Sequence, residues 1–426
     1  MLKFYLILCL SLLLLGCQIA SELLEKNIHP KTHNYARANT LLENCQFDKV
    51  IEILQNSKNE LLKNSEEGLV FYYKDEHAQS NAYFDRAIAL YRRNEDKALF
   101  DISTFLSQEY QGEGYDKVFL HNYKALNYLL LGDAQAGRVE ARNSNIIQAQ
   151  EHLKLKNFVA KHKNSSSNSY LISRYDKLFD SVNPKHNPYQ NPFAYYVSAL
   201  SYAEDKDYGN ALIDIRKALS LMPNVSILKE KLKLYSSHTN HPSVELFFDI
   251  GKSPLKSQVK VSLDMGNEEK RMAYLPSFSL SQSKVDYVEV IDEKGKMVAK
   301  STLLVDINAI KINEFKEKLP AMLSLLSKEL SFSLASEELD KKSQLIAGIF
   351  KAGIAIYGQN DKATWSLLPQ KILLATFEPL RDVKYRVVVH SSNGEVLDTY
   401  PLELLNKHTT NSIYRHFSLR GEEVCD

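Results

Sequence analysis

Glycine and proline are scarce in this chain, at 15 and 12 of 426 residues, about half the ordinary combined usage of roughly 12%. That shortage excludes a collagen-like fibre or a Gly/Pro-rich disordered segment and leans the chain towards helices. Cysteine is scarcer still, with Cys9, Cys17, Cys45 and Cys425 alone. A disulfide-dense scaffold and a Cys-rich zinc module are both excluded. Neither charge is in excess, with 53 Lys+Arg against 52 Asp+Glu, so no nucleic acid is expected as a partner on electrostatic grounds. Tryptophan occurs once, at Trp365, whereas tyrosine occurs 24 times. No apolar run reaches the roughly 20 residues of a membrane-spanning helix.

What is present begins at the N-terminus, MLKFYLILCLSLLLLGC. Lys3 precedes an apolar run from Phe4 to Leu15 that has the length of a signal-peptide core. The ending Leu14-Leu15-Gly16-Cys17 resembles the bacterial lipobox. The resemblance implies cleavage between Gly16 and Cys17, where a small residue admits the cleavage enzyme. It also implies lipidation of the Cys17 thiol and a chain tethered by acyl groups rather than by a spanning helix. Gln18 in place of aspartate favours the outer membrane over the inner one by the same resemblance. Loss of Lys3 would leave equal numbers of cations and anions. Loss of Cys9 would leave Cys45 and Cys425 as the two free thiols in an oxidising compartment, where they can pair or stay separate.

The mature region, 17–240, reads as helical. No proline stands between Thr32 and Asn183, and apolar residues recur at three- and four-residue spacing. The segment Asn191–Pro223 places Tyr195, Ala199, Tyr202, Tyr208, Ala211, Ile215, Ala218 and Pro223 at the spacing of a tetratricopeptide (TPR) repeat. Small residues there let two helices touch, and the proline ends the second. Weaker copies fall on Ala38, Leu41, Phe47, Val50 and Leu54; on Gly68, Phe71, His77, Ser80, Phe84 and Ala87; and on Ala125, Tyr128, Gly132, Gly137 and Ala141. Four hairpins exceed the roughly three that a solenoid needs. The polar stretch 161–169 reads as a surface insertion. In TPR geometry the concave face would carry Phe119, Asn122 and Leu126 from the third repeat and Phe193, Tyr196 and Leu200 from the fourth. These side chains predict a groove for an apolar partner segment or for the chain's own C-terminal domain.

From 241 to 426 the pattern turns to strands, at Val244–Ile250, Gln258–Leu263, Val285–Ile291, Met297–Lys300, Ile372–Phe377, Val383–Val389 and Glu395–Tyr400. Two helical stretches, Ile312–Leu330 and Ser336–Tyr357, interrupt them. The expected fold is thus α+β: a TPR-like helical repeat domain followed by a mixed α/β, β-sandwich-like domain. This order resembles a family of uncharacterised TPR-bearing bacterial lipoproteins, through Tyr110–Asn145 (YQGEGYDKVFLHNYKALNYLLLGDAQAGRVEARNSN), Gly251–Lys256 and Trp365–Pro369. The resemblance implies an envelope location and gene neighbours that encode other outer-membrane lipoproteins, some like peptidoglycan-synthase activators. It implies no enzyme activity.

Catalytic motifs are missing. The close histidine pairs His29/His33 and His238/His241 border prolines and lack a zincin-like glutamate, so they read as solvated loop residues. Gly112 and Gly114 lack the third glycine of a dinucleotide fingerprint and read instead as a tight entry to the helix near Tyr115. Glu337/Glu338 read as a charged helix start. Neither a metal nor a cofactor is expected, and no small-molecule substrate is identified. The tyrosines around 170–208 read as core packing or as a partner surface. The functional expectation is a lipid-anchored scaffold, facing the periplasm, that binds other envelope proteins, whether lipoproteins or a peptidoglycan synthase. The alternative is a glycan-binding or peptidoglycan-regulating module, which an exposed Trp365 would favour; beside Leu367-Leu368-Pro369, Trp365 is expected to be buried.

Overall fold

Each helical hairpin turns on one residue forced into left-handed backbone geometry. These are Cys45, Asp75, Gly132 and Lys206, with φ of 56°, 58°, 80° and 60°. Their amides donate to the carbonyls of Leu42, Tyr72, Leu129 and Ala203, and the next amides donate to Leu41, Phe71, Tyr128 and Tyr202. This paired bonding ends one helix and aims the chain straight into the next. The hairpins it makes are α1 (Tyr35–Glu43) with α2 (Phe47–Leu54), α3 (Glu60–Tyr73) with α4 (His77–Asn94), α5 (Gly114–Leu130) with α6 (Ala134–Lys161), and α8 (Pro192–Glu204) with α9 (Tyr208–Leu221). Helices α7 (Ser169–Leu178) and α10 (Ser226–Ser236) flank the last pair. The computed structural model describes residues 35–94, 110, 112–162, 169–182, 188–264, 270–335, 364–404, 412–421 and 424–425. Gly16, Cys17, His29, His33, most of the 161–169 insertion and the expected helix at Ser336–Tyr357 with Glu337/Glu338 lie outside those residues. Among the described residues no helix is long and apolar enough to cross a membrane.

Small residues set the helix spacing. A Cβ built on Gly68 would stand 2.5 Å from the Phe84 ring, so α3 and α4 approach closer than any larger residue allows. Ala199, Ala211, Ile215 and Ala218 are all buried between α8 and α9.

Beyond Asn240 the described residues form two four-stranded sheets and a hairpin, with one helix. The strands are β1 (Val244–Ile250), β2 (Leu255–Asp264), β3 (Lys270–Ser279), β4 (Val285–Asp292), β5 (Met297–Lys300), β6 (Thr302–Asp306), β7 (Lys371–Phe377), β8 (Tyr385–Ser391), β9 (Val396–Leu402) and β10 (Ile413–Leu419). One sheet runs β10-β1-β7-β6, with β1 parallel to β10 and antiparallel to β7; the other runs β5-β4-β8-β9, and β2 pairs with β3. Helix α11 (Ile307–Ala335) follows β6 and carries Pro320 within it, extending the expected Ile312–Leu330 stretch at both ends.

Strand β1, VELFFDI, explains how the two halves join, because it is buried along its whole length. Successive side chains point to opposite faces. Val244, Leu246, Phe248 and Ile250 pack with Val288, Val290, Val387 and Val389 of the other sheet to form the sandwich core. Phe247 packs instead in a second core that it shares with the helices. From Tyr35 to Asp426 the chain is one compact unit.

Candidate functional site

The six residues expected to line the concave face are all buried, at 2% exposure or less. Five of them share one apolar core with Phe247, and none presents a free groove. Phe193 meets Phe247 edge-on at 6.0 Å, and Tyr196 meets it at 6.3 Å. The sixth, Asn122, faces its own hairpin, where its Oδ1 accepts from Ser144 Oγ at 2.6 Å. Of the two occupants expected, the chain's own C-terminal domain is the one in place, and the reading of these residues as a groove for a separate partner is corrected accordingly. The contact is also less apolar than expected. Glu245 and Asp249, on either side of Phe247, face the helices.

Burying two carboxylates is costly unless each is hydrogen-bonded. Tyr196 Oη donates to Glu245 Oε2 at 2.7 Å, while Lys231 Nζ and Ser243 Oγ donate to Oε1. Tyr73 and Tyr123 both donate to Asp249 Oδ2, at 3.0 and 2.9 Å. Burial pushes Asp249 up to about 6, even though those two bonds and the His416 and Arg420 charges oppose the shift. Tyr110 donates likewise to Asp116, Tyr189 to Glu314 and Tyr414 to Glu204. Six tyrosines thus work inside the molecule as donors to buried or half-buried acids.

A belt of charge lies along the seam between α5 and α11. Lys318 reaches both Glu113 and Glu314. Burial pushes Asp116 up to about 6 and Glu66 up to about 8. Glu66 Oε1 accepts from the backbone N–H and the Oγ of Ser366 at 3.0 and 2.8 Å. Lys311 is pushed down to about 8 by burial, and its Nζ donates to Ser253 Oγ and to the Trp365 carbonyl, both at 2.9 Å. A lysine of lowered pKa beside a serine hydroxyl is the pairing of a base with a nucleophile. Here both are 1% exposed and Trp365 is wholly buried, so the pair ties the β1–β2 connection, α11 and the Trp365 segment together.

A third constellation was not anticipated. Asp75 and His77 stand at the turn of the second hairpin, and His416 lies on β10. One ligand atom from each falls within 4.8 Å of the others, the spacing of residues able to hold a metal ion. Asp75 Oδ1 is 2.7 Å from His416 Nε2 and 3.5 Å from His77 Nε2. His77 Nδ1 is 3.1 Å from Asn127 Oδ1. The Asn127 amide nitrogen donates to Ser80 Oγ and Asn81 Oδ1, both at 2.9 Å, which fixes its oxygen as the acceptor facing His77. Tyr72 stacks on His416 at 3.9 Å between ring centroids. Partial burial works against the Asp75 charge, yet His416, His77 and Arg415 hold its carboxyl down at about 2. Of the three, only His77 carried any signal in the sequence, and that was as a repeat position.

The disulfide alternatives resolve here as well: Cys45 and Cys425 are bonded, with Cα atoms 5.5 Å apart across 380 residues of sequence. Set beside known proteins, the chain matches no family model, no curated protein and no solved structure.

Proposed function

We propose that this chain is an exported lipoprotein, anchored by acyl groups on Cys17, that serves as a scaffold for other proteins of the bacterial envelope. The observation that carries the proposal is the Cys45–Cys425 disulfide, which joins the first hairpin to the end of the chain. Disulfides of this kind persist in oxidising compartments and are rare in the cytosol, which agrees with the export signal and lipobox-like Leu14-Leu15-Gly16-Cys17. Four hairpins sharing one turn geometry support the TPR-like reading, and that architecture serves protein binding in its other settings. The concave face is closed by β1, so partners would engage the outer surface. Trp365 is buried against Phe84, at 6.2 Å between centroids, and so lends nothing to the glycan-binding alternative.

Metabolic labelling with palmitate, combined with intact mass under non-reducing conditions, tests the proposal. The expected result is label on the wild type, none on Cys17→Ser, and a gain of two mass units on reduction. Unlabelled wild type, or two reduced thiols in protein taken from cells, would overturn it. Crosslinking in intact cells then identifies the partners: other lipoproteins would support the scaffold, and a murein synthase would promote the regulatory alternative.

A further inference from the structure

The geometry points to a divalent transition-metal site, of the kind zinc occupies, formed by Asp75, His77 and His416 at the junction of the second hairpin with β10. Two imidazoles and a carboxylate are a donor set suited to zinc and its neighbours, with a fourth position left for water. Bonds of about 2.0–2.2 Å in tetrahedral geometry set donor atoms about 3.3 Å apart. The two Asp75 contacts, at 2.7 and 3.5 Å, bracket that spacing.

The orientation of the rings carries the argument further. Asn127 Oδ1 is an acceptor, so the proton of a neutral His77 sits on Nδ1 and its lone pair on Nε2, facing the Asp75 carboxylate. A cation between two such electron-rich atoms, a metal ion or a proton, satisfies both. A hydrogen bond to one imidazole nitrogen that leaves the other for a metal is the usual support of a histidine ligand. His416 is 6% exposed, and its Nδ1 has no hydrogen-bond partner. Its Nε2 stands 2.7 Å from Asp75 Oδ1. The Asp75 side chain is 51% exposed, which leaves an open path from solvent. Lys74 does not compete for Asp75, since Asp48 and Glu76 each hold it at 2.9 Å.

An ion here would clasp the α3–α4 turn to the C-terminal strand. The equivalent turn residue one hairpin earlier, Cys45, is bonded to Cys425, so metal and disulfide would fasten the same C-terminal segment at corresponding positions.

The test uses the full chain, extracted in detergent with its disulfide intact, stripped with chelator and titrated with Zn²⁺ alone by calorimetry. Asp75→Asn is the informative variant, because asparagine tolerates the left-handed backbone at that turn and the fold is kept. The expected result is one equivalent of Zn²⁺ on the wild type, and loss of that equivalent in Asp75→Asn with an unchanged circular dichroism spectrum. Co²⁺ in place of Zn²⁺ should give the visible absorption of a four- or five-coordinate imidazole site, absent from the variant. A wild type without stoichiometric Zn²⁺ would overturn the assignment and reduce the cluster to ion pairs of protonated histidines. Retention of the full equivalent by Asp75→Asn would overturn it equally.

Discussion

The Cys45–Cys425 bridge closes nearly the whole described chain into one loop, and the stability it brings can be worked out. With 380 residues between the cysteines, the chain-entropy relation gives roughly 6 kcal/mol at 25 °C, above the 2–4 kcal/mol of typical bridges. Residual structure in the unfolded chain trims such values, so a loss of about 3–6 kcal/mol is expected on opening the bridge. That is a large share of the roughly 5–15 kcal/mol that holds an ordinary domain folded. Guanidinium unfolding of the oxidised wild type, the reduced wild type, Cys45→Ser, Cys425→Ser and the double variant measures it. Each single variant already opens the loop, so each should unfold near the midpoint of the double variant, and reduction should bring the wild type there. Cys45 has φ of 56°, so Cys45→Gly should recover up to about 1 kcal/mol of backbone strain relative to Cys45→Ser. Unfolding of oxidised wild type and double variant at one denaturant concentration would refute this loop-closure contribution. Addition of the two single losses in the double variant would refute it equally, since one bond cannot be lost twice.

Three further outcomes follow from other parts of the molecule. Tyr196→Phe removes a donor from the buried Glu245 carboxylate and should destabilise by about 1–3 kcal/mol, with no cavity formed; an unchanged melting temperature would count against the helix–strand latch. Gly112→Ala sets a Cβ at φ +84° and 1.9 Å from an atom of the Tyr91 ring, so it should unfold well below the wild type, whereas Gly295→Ala, also at positive φ but with nothing within 4 Å, should pay only for backbone strain. Glu140 is held down at about 2, because the His121 bond and the Lys124 charge outweigh partial burial. Its folded-state pKa lies below the unfolded value near 4.5, so its contribution, roughly 3 kcal/mol at most, is complete above pH 5 and is lost as pH falls towards 2. Wild type and Glu140→Gln should therefore differ in stability at pH 6 and converge near pH 2, a convergence that acid-titrated urea midpoints would detect.

Local order was legible wherever spacing alone decides it. The repeat spacing led to the hairpins, and alternation led to β1, β4, β5, β7, β8 and β9 within a few residues. Strand β10, IYRHFSL, was missed because Arg415 and His416 break the apolar alternation in a segment whose His416 and Ser418 are nonetheless buried. Strand β1 was legible as a strand, but what covers it was not. Polar residues at 245 and 249 alternate with apolar ones as on a strand with one solvated face, yet that face lies against tyrosine-bearing helices. Alternation reports which residues share a face, and says nothing about whether water or another layer covers it. The same limit applies to the metal-binding cluster. Asp75 and His77 are neighbours in sequence, but His416 joins them only through the parallel pairing of β1 with β10, a contact that no local pattern encodes.

That pairing gives the C-terminal segment an organising role. From Ser412 onwards it crosses the helical hairpins in nearly the reverse of their order in sequence. The Ser412 amide and Tyr414 Oη donate to Glu204 at the end of α8, His416 stands against Asp75 at the second turn, Arg420 reaches Asn39 of the first hairpin, and Cys425 bonds Cys45. Every one of these contacts joins residues more than 200 positions apart, and contacts of such separation carry a loop-closure cost that local ones do not. β10 thus lies against both the hairpins and β1, and the bonded cysteines join the segment that follows it to the first turn. The concave face, which in an open repeat array would receive a partner, is occupied by β1 and its two tyrosine-bound acids. The chain thus completes its own groove, and the disulfide records that the groove is filled.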